Sequence, residues 1–200
     1  MDHSNDLADA KHSLRKKMIE WRSSLSAEEA RGKSELIAAA VRALSEYKDA
    51  RTILFYVSAK PNEVDTHPLL REALSKGVKT LVPVTDFDRN ELIISELKDM
   101  SELVTARFGL LEPHPDSVRP VAAREADVII VPGVAFDTGR RRLGLGGGYY
   151  DRLLADADAV SIALGYEGQI VERVPTDSND VPVDIIVTES RVYRTADRAS

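Results

Sequence analysis

The chain is 200 residues long, 43% hydrophobic and 30% charged, a composition that excludes a disordered chain, a collagen and a small disulfide scaffold. Its 27 Lys and Arg against 33 Asp and Glu leave a net charge of −6, which argues against a general nucleic-acid or anionic-membrane binder. Cysteine is absent, excluding disulfides and thiol nucleophiles, and the four histidines are too scattered for a zinc motif.

Met1 to Asp6 lacks the basic-then-apolar order of a signal peptide, and no apolar run is long enough to cross a bilayer. The expectation is a cytoplasmic protein. Leu7 to Trp21 predicts a helix, with Leu14, Met18 and Trp21 on one face. Ser26 followed by Glu29 predicts a capping box that opens a second helix carrying Leu36, Ile37, Ala40, Val41 and Leu44. Arg51 to Ser58 is an apolar, β-branched run expected to form a strand buried on both faces. Asp65 and Thr66 then cap a helix with Pro68 in its first turn, and Gly77 stops it.

Val78 to Val84 predicts another strand, paired with Glu91 to Leu97 across the polar turn 86–90. Met100 to Ala106 reads as a short helix and Phe108 to Pro120 as a loop. Asp127 to Pro132 is a second buried-type strand, and Gly133 to Gly148 a glycine- and arginine-rich loop. A helix starts near Tyr149, followed by strands at Val160 to Tyr166 and Asp184 to Val187. Strands alternating with helices imply an α/β fold: one three-layer domain over residues 1–200, an open, mostly parallel sheet with helices on both faces and a helical N-terminal segment. Ligands of such sheets gather at the carboxyl ends of the strands, which directs attention to residues 58–65 and 133–151.

Arg140 to Asp151 carries the chemistry. Gly144, Gly146, Gly147 and Gly148 let the backbone approach a ligand closely, the following helix adds unpaired N–H groups, and Arg140, Arg141 and Arg142 precede them. The combination suits a phosphate, although it is neither a Walker loop nor a dinucleotide fingerprint. Asp151, in the first helical turn, serves either the helix dipole or a Mg²⁺ ion beside the phosphates.

Val131 to Asp137, then Arg142-Leu143-Gly144, then Gly146-x-Gly148-Tyr149-Tyr150-Asp151, resembles the signature of the 5-formyltetrahydrofolate cyclo-ligase family. Lys11-x-x-Leu14-Arg15, Glu63 to Thr66, Phe108-Gly109 with Glu112-Pro113, and Val174-Pro175 with Asp180 recur in the family's order. The resemblance implies ATP contacts at Lys11, His12, Ser13, Leu14 and Arg15 and at Arg142, Leu143, Gly144, Leu145, Gly146, Gly147, Gly148, Tyr149 and Tyr150. It implies folate contacts at Arg15, Val57, Glu63 and Leu145 to Tyr149, magnesium carboxylates at Asp151 and Asp180, and catalytic roles for Lys11 and Arg142. The implied activity is ATP-dependent cyclisation of 5-formyltetrahydrofolate by a monomer acting on small molecules, without nucleic acid or membrane; the alternative is a non-catalytic folate or nucleotide binder of the same fold. Leu145 and Gly147 stand where the family often has basic residues, and Arg140 stands where it has glycine. Arg140 and Arg141 are expected to compensate for the missing charge.

Overall fold

The computed structural model describes residues 3–194. A long helix, α1 (His3–Ser23), leads into α2 (Ala27–Ala43) and the short α3 (Ser45–Asp49). Then come β1 (Thr52–Leu54), α4 (His67–Ser75), and the hairpin of β2 (Lys79–Asp86) and β3 (Glu91–Leu97). A small hairpin of β4 (Leu103–Thr105) and β5 (Leu111–Pro113) follows. The second half runs β6 (Val128–Val131), β7 (Ala135–Asp137), β8 (Arg142–Leu143), α5 (Tyr149–Asp156), β9 (Val160–Leu164), β10 (Ile170–Val171), β11 (Ile185–Val187) and β12 (Val192–Arg194).

Seven strands form the main sheet in the order β12-β11-β9-β6-β1-β2-β3. The inner five are parallel, and β12 and β3 close the edges antiparallel. Successive side chains point to opposite faces of a strand. Ile53, Ile130, Ile162 and Ile185 accordingly pack with Ile37 and Val41 of α2 and Leu69 and Leu70 of α4. Leu54, Ile129, Ala163 and Ile186 pack on the other face with Leu153 of α5. Each fully buried aliphatic side chain contributes roughly 1.5–3 kcal/mol, so these two faces hold most of the fold together. The chain leaves β1 through α4 to one side and leaves β6 through α5 to the other. The switch point of the sheet therefore lies between β1 and β6, the place where open α/β sheets leave a crevice.

Local chemistry explains the element ends. Ser26 Oγ accepts the Glu29 N–H while the Glu29 carboxylate accepts the Ser26 N–H at 2.9 Å, as the sequence predicts. Gly77 ends α4 at φ +71°, which costs glycine nothing. The N-cap differs in detail: Thr66 makes no capping bond, and Asp65 Oδ1 takes the His67 N–H instead. Thr66 is turned inward, its hydroxyl donating to the Tyr56 carbonyl and accepting the Ser58 N–H.

That turn shortens the first strand. Phe55 still donates to Leu81, but Tyr56 to Ser58 leave the ladder and bond to Thr66, so the expected strand 51–58 is only Thr52–Leu54. Residues 100–106 form one 3₁₀ turn and then β4, because Asp99 caps Ser101 and the rest pairs with β5. The expected loop 108–120 thus contains a strand. Residues 133–148 likewise contain the β7–β8 hairpin, held by buried Asp137, whose carboxylate accepts the Arg141 and Val174 N–H groups. Gly133 and Gly165 sit against opposite edges of the buried Phe136 ring, where a Cβ would come within 2.3 and 2.4 Å of it.

Candidate active site

Helix α1 lies across the β7–β8 hairpin, packing Leu14, Met18 and Ile19 onto Val134, Ala135, Leu143 and Val174. With 3.6 residues per turn, Lys11, Arg15 and Arg22 fall close to one line on the helix, and all three open into one cavity of about 890 Å³. Its walls include the residues that follow β1 (Tyr56, Val57, Glu63) and β6 (Pro132, Gly133), together with the glycine turn and the loop 177–181.

The glycine turn is a free donor surface. None of the N–H groups of residues 145–148 donates to another protein group among the described residues. Gly146 (φ +112°) and Gly148 (φ +66°) adopt left-handed backbone that a side chain would strain, and Gly148 is the N-cap of α5. Arg15 Nε donates to the Gly144 carbonyl at 2.8 Å, and Arg152 Nη2 donates to the Gly147 carbonyl at 3.0 Å. Two guanidinium groups thus hold the turn's carbonyls and leave its amides free. A bare amide set at a helix N-terminus, with cations beside it, suits an anion.

Lys11 Nζ is 2.6 Å from both Asp177 Oδ2 and Asp180 Oδ2. Partial burial lowers its pKa, but these two bonds outweigh that and hold the ammonium above its usual range. The bond to Lys11, with the Asn179 N–H, holds Asp177 below the usual carboxylate range. Arg142 is almost wholly buried and donates from Nη2 to Asp151 Oδ1 at 2.7 Å. Its Nε has no hydrogen-bond partner among the described residues. Glu63 Oε2 accepts the N–H groups of Ala59 and Lys60, which aims its head into the cavity wall. Burial lifts the Tyr150 and Tyr56 phenols far above their ordinary range, with Glu63 adding to the effect, so both stay neutral, and Tyr56 donates from Oη to the Val64 carbonyl at 2.9 Å.

The cavity therefore gathers Lys11, Arg15, Val57, Glu63, Arg142 to Asp151, and Asp180. His12 and Ser13 point to solvent and Leu14 packs on the hairpin; none of the three lines the cavity. Arg140 and Arg141 do not compensate for Leu145 and Gly147. Arg140 Nη1 donates to the Val183 carbonyl and Arg141 to Asp137, away from the cavity. Arg15 and Arg152 flank the turn instead, and Arg152 was illegible as a contributor because nothing in its spacing separates it from a solvated helix residue. Leu145 is 60% exposed at the rim.

No group of three or more metal-ligating side chains clusters among the described residues. Magnesium asks for less: one or two carboxylates, with phosphate oxygens and water supplying the rest. Asp151 and Asp180 both line the cavity, and Asp151 Oδ2 and Asp180 Oδ1 have no protein donor among the described residues. Hard oxygen donors facing a phosphate-suited turn fit the ion.

Fold and cleft together define an open-sheet α/β protein whose ligand crevice sits at the sheet's switch point, lined by cations and free main-chain amides. The profile of the 5-formyltetrahydrofolate cyclo-ligase family matches residues 8–189. The chain is 33% identical over 148 residues to a 5-formyltetrahydrofolate cyclo-ligase of Escherichia coli, covering 72% of this chain and 81% of that protein. To the mouse 5-formyltetrahydrofolate cyclo-ligase it is 28% identical over 191 residues, covering 90% and 94%. The solved structure of Aquifex aeolicus 5,10-methenyltetrahydrofolate synthetase superposes with a TM-score of 0.82 at 37% identity, covering 95% of each chain. A Mycoplasma pneumoniae 5,10-methenyltetrahydrofolate synthetase shares the fold at 23% identity and a TM-score of 0.72, covering 90% and 98%. The chain belongs to the 5-formyltetrahydrofolate cyclo-ligase family.

Proposed function

We infer that this protein converts 5-formyltetrahydrofolate to 5,10-methenyltetrahydrofolate while hydrolysing ATP to ADP and phosphate. The observation that carries the site assignment is the unbonded amide row at residues 145–148 facing the same cavity as Lys11, Arg142 and Glu63. Nothing in the fold or the relatives favours the non-catalytic binder.

The chemistry sets the requirements. A formamide oxygen leaves poorly, so ring closure by N10 needs that oxygen activated. Attack of the formyl oxygen on the γ-phosphorus breaks the bond to ADP and places phosphate on the formyl carbon. N10 then attacks that carbon, the C–O bond breaks, phosphate departs and N10 loses its proton. This sequence needs alignment and charge neutralisation more than covalent help. The free amides and α5 hold the triphosphate, while Lys11 and Arg142 neutralise charge as the phosphoryl group moves. Asp151 and Asp180 would hold Mg²⁺, which when bound would supply Lewis-acid neutralisation of phosphate charge. Glu63 hydrogen-bonds the pterin; Val57 and Tyr149 shape the folate side.

In the free protein Lys11 is held by Asp177 and Asp180, and Arg142 by Asp151. Each cation proposed for phosphate thus rests on a carboxylate proposed for metal. Nucleotide phosphate reaching Lys11 and Arg142 would take the place of these carboxylates, so neither cation is left bare in either state. The whole chain acts as a single folding unit, a monomer in the cytoplasm.

Incubation with 5-formyltetrahydrofolate and Mg-ATP tests the reading through the near-ultraviolet absorbance of the methenyl product. Growth of that band only with ATP is the expected result; binding of either substrate without product would leave a binder in place of an enzyme.

A further inference from the structure

Arg22 is a buried cavity cation that neither the sequence motifs nor the reaction accounts for. It occupies the last turn of α1, is only 6% exposed, and lines the cavity. Its Nε is buried without a hydrogen-bond partner, and its guanidinium forms no ion pair among the described residues. A buried guanidinium with no acceptor carries a desolvation penalty that a structural role would normally offset with a carboxylate or carbonyl. An acceptor delivered by a ligand removes the penalty.

The local structure fixes what that ligand presents. Asn62, at φ +51°, donates from Nδ2 to the Arg22 carbonyl at 3.0 Å and to the Leu25 carbonyl at 2.7 Å. This clamp sets the loop carrying Glu63 directly against the end of α1 that carries Arg22. Both side chains also act on the same phenol: burial raises the Tyr56 pKa, the Glu63 carboxylate adds to the rise, and the Arg22 guanidinium opposes it. The packing of Trp21 against Tyr166 and Gly168 anchors the helix end, so Arg22 has little room to swing away.

We propose that Arg22 is a specificity-determining contact for the 2-amino-4-oxo edge of the pterin, donating to its 4-oxo oxygen while Glu63 accepts from the adjacent N–H groups. A carboxylate beside a guanidinium presents acceptor then donor, the complement of a ring edge that presents amino, ring N–H and carbonyl oxygen in sequence. The proposal rests on the cyclo-ligase reading and specifies how its folate subsite recognises the ring.

The test compares wild type with Arg22→Gln. In the product assay the variant's KM for 5-formyltetrahydrofolate should rise about 10- to 100-fold, the range for a charge-assisted hydrogen bond, with KM for ATP unchanged. Tetrahydrofolate and its 4-amino-4-deoxy counterpart are then compared as competitive inhibitors. Wild type should favour the 4-oxo compound, and the variant should lose most of that preference. An unchanged preference, or a loss that follows removal of the inhibitor's glutamate tail instead of the 4-oxo group, would overturn the assignment. Thermal melting checks folding; if the Gln variant does not fold, Arg22→Met, which keeps the stem and removes every donor, is read the same way. Failure of wild type to form product would instead count against the enzyme reading, and the two failures are distinct.

Discussion

Replacing Lys11 by methionine keeps most of the side-chain stem and removes the ammonium. The residue binds two carboxylates whose side chains are 38% and 19% exposed, so solvent screens the pair and the folding cost should stay near ~1 kcal/mol. The loss during phosphoryl transfer is larger. One charge-assisted hydrogen bond to the moving phosphoryl group is worth about 1.5–3 kcal/mol, a fall of roughly 10- to 100-fold in kcat/KM for ATP. Initial rates from the methenyl absorbance, taken against ATP at saturating folate, read that loss, and thermal melting reads the folding cost.

The pH behaviour follows from the same contacts. Lys11 is raised above its ordinary 10.5, so its contribution to stability is complete below that pH and is lost only as pH climbs through the folded value. Asp177 is lowered below 3.8, so its contribution is complete above that pH and is lost as pH falls through the folded value. The pair is intact from about pH 5 to 9. Wild type and Lys11→Met should therefore show parallel stability across that window, and the variant should lose less on acidification below it. Wild-type kcat/KM in the variant, or a large drop in melting temperature at neutral pH, would refute the reasoning.

Arg142→Met breaks a buried pair and should cost about 3–5 kcal/mol of stability as well as most of the activity, visible as a depressed melting temperature. An unchanged melting temperature would mean that Asp151 finds another partner. Asp151→Asn keeps an oxygen for the Arg142 guanidinium but should shift the magnesium titration of activity to higher concentration; an unshifted titration would leave Asp151 only the ion pair and the helix dipole. Arg140 sits at φ +65°, so Arg140→Gly should be more stable than Arg140→Ala by about 1 kcal/mol, since both lose the side-chain bond to Val183 and only alanine keeps the strain. Equal melting of the two would show that the turn relaxes.

Most of the sheet was legible because buried parallel strands read as apolar β-branched runs, and Ile53, Ile129 and Ile162 lie in such runs. The short strands β7, β8, β10 and β12 were not, because two or three residues carry no periodicity; long-range bonds such as Asp137 to Val174 define the hairpin of β7 and β8. The glycine turn announced itself through composition. The helix that completes the cleft was harder: Lys11 and Arg15 stood out only through the resemblance, and Arg22 not at all. Its signal was present, eleven residues after Lys11 and so about three turns on, yet it becomes meaningful only once the hairpin shows which face of α1 is covered. The ion pairs of Lys11 and Arg142 were likewise unreadable, because sequence separations of 166 and 9 residues give no hint that each cation meets a carboxylate.

In the proposed reaction this cavity aligns the formyl oxygen with the γ-phosphorus of ATP. Substrate labelled with ¹⁸O in the formyl group tests it directly, by mass analysis of the phosphate released after one turnover. The label should appear in inorganic phosphate in equal amount to the methenyl product. Label recovered in water, with unlabelled phosphate, would contradict it.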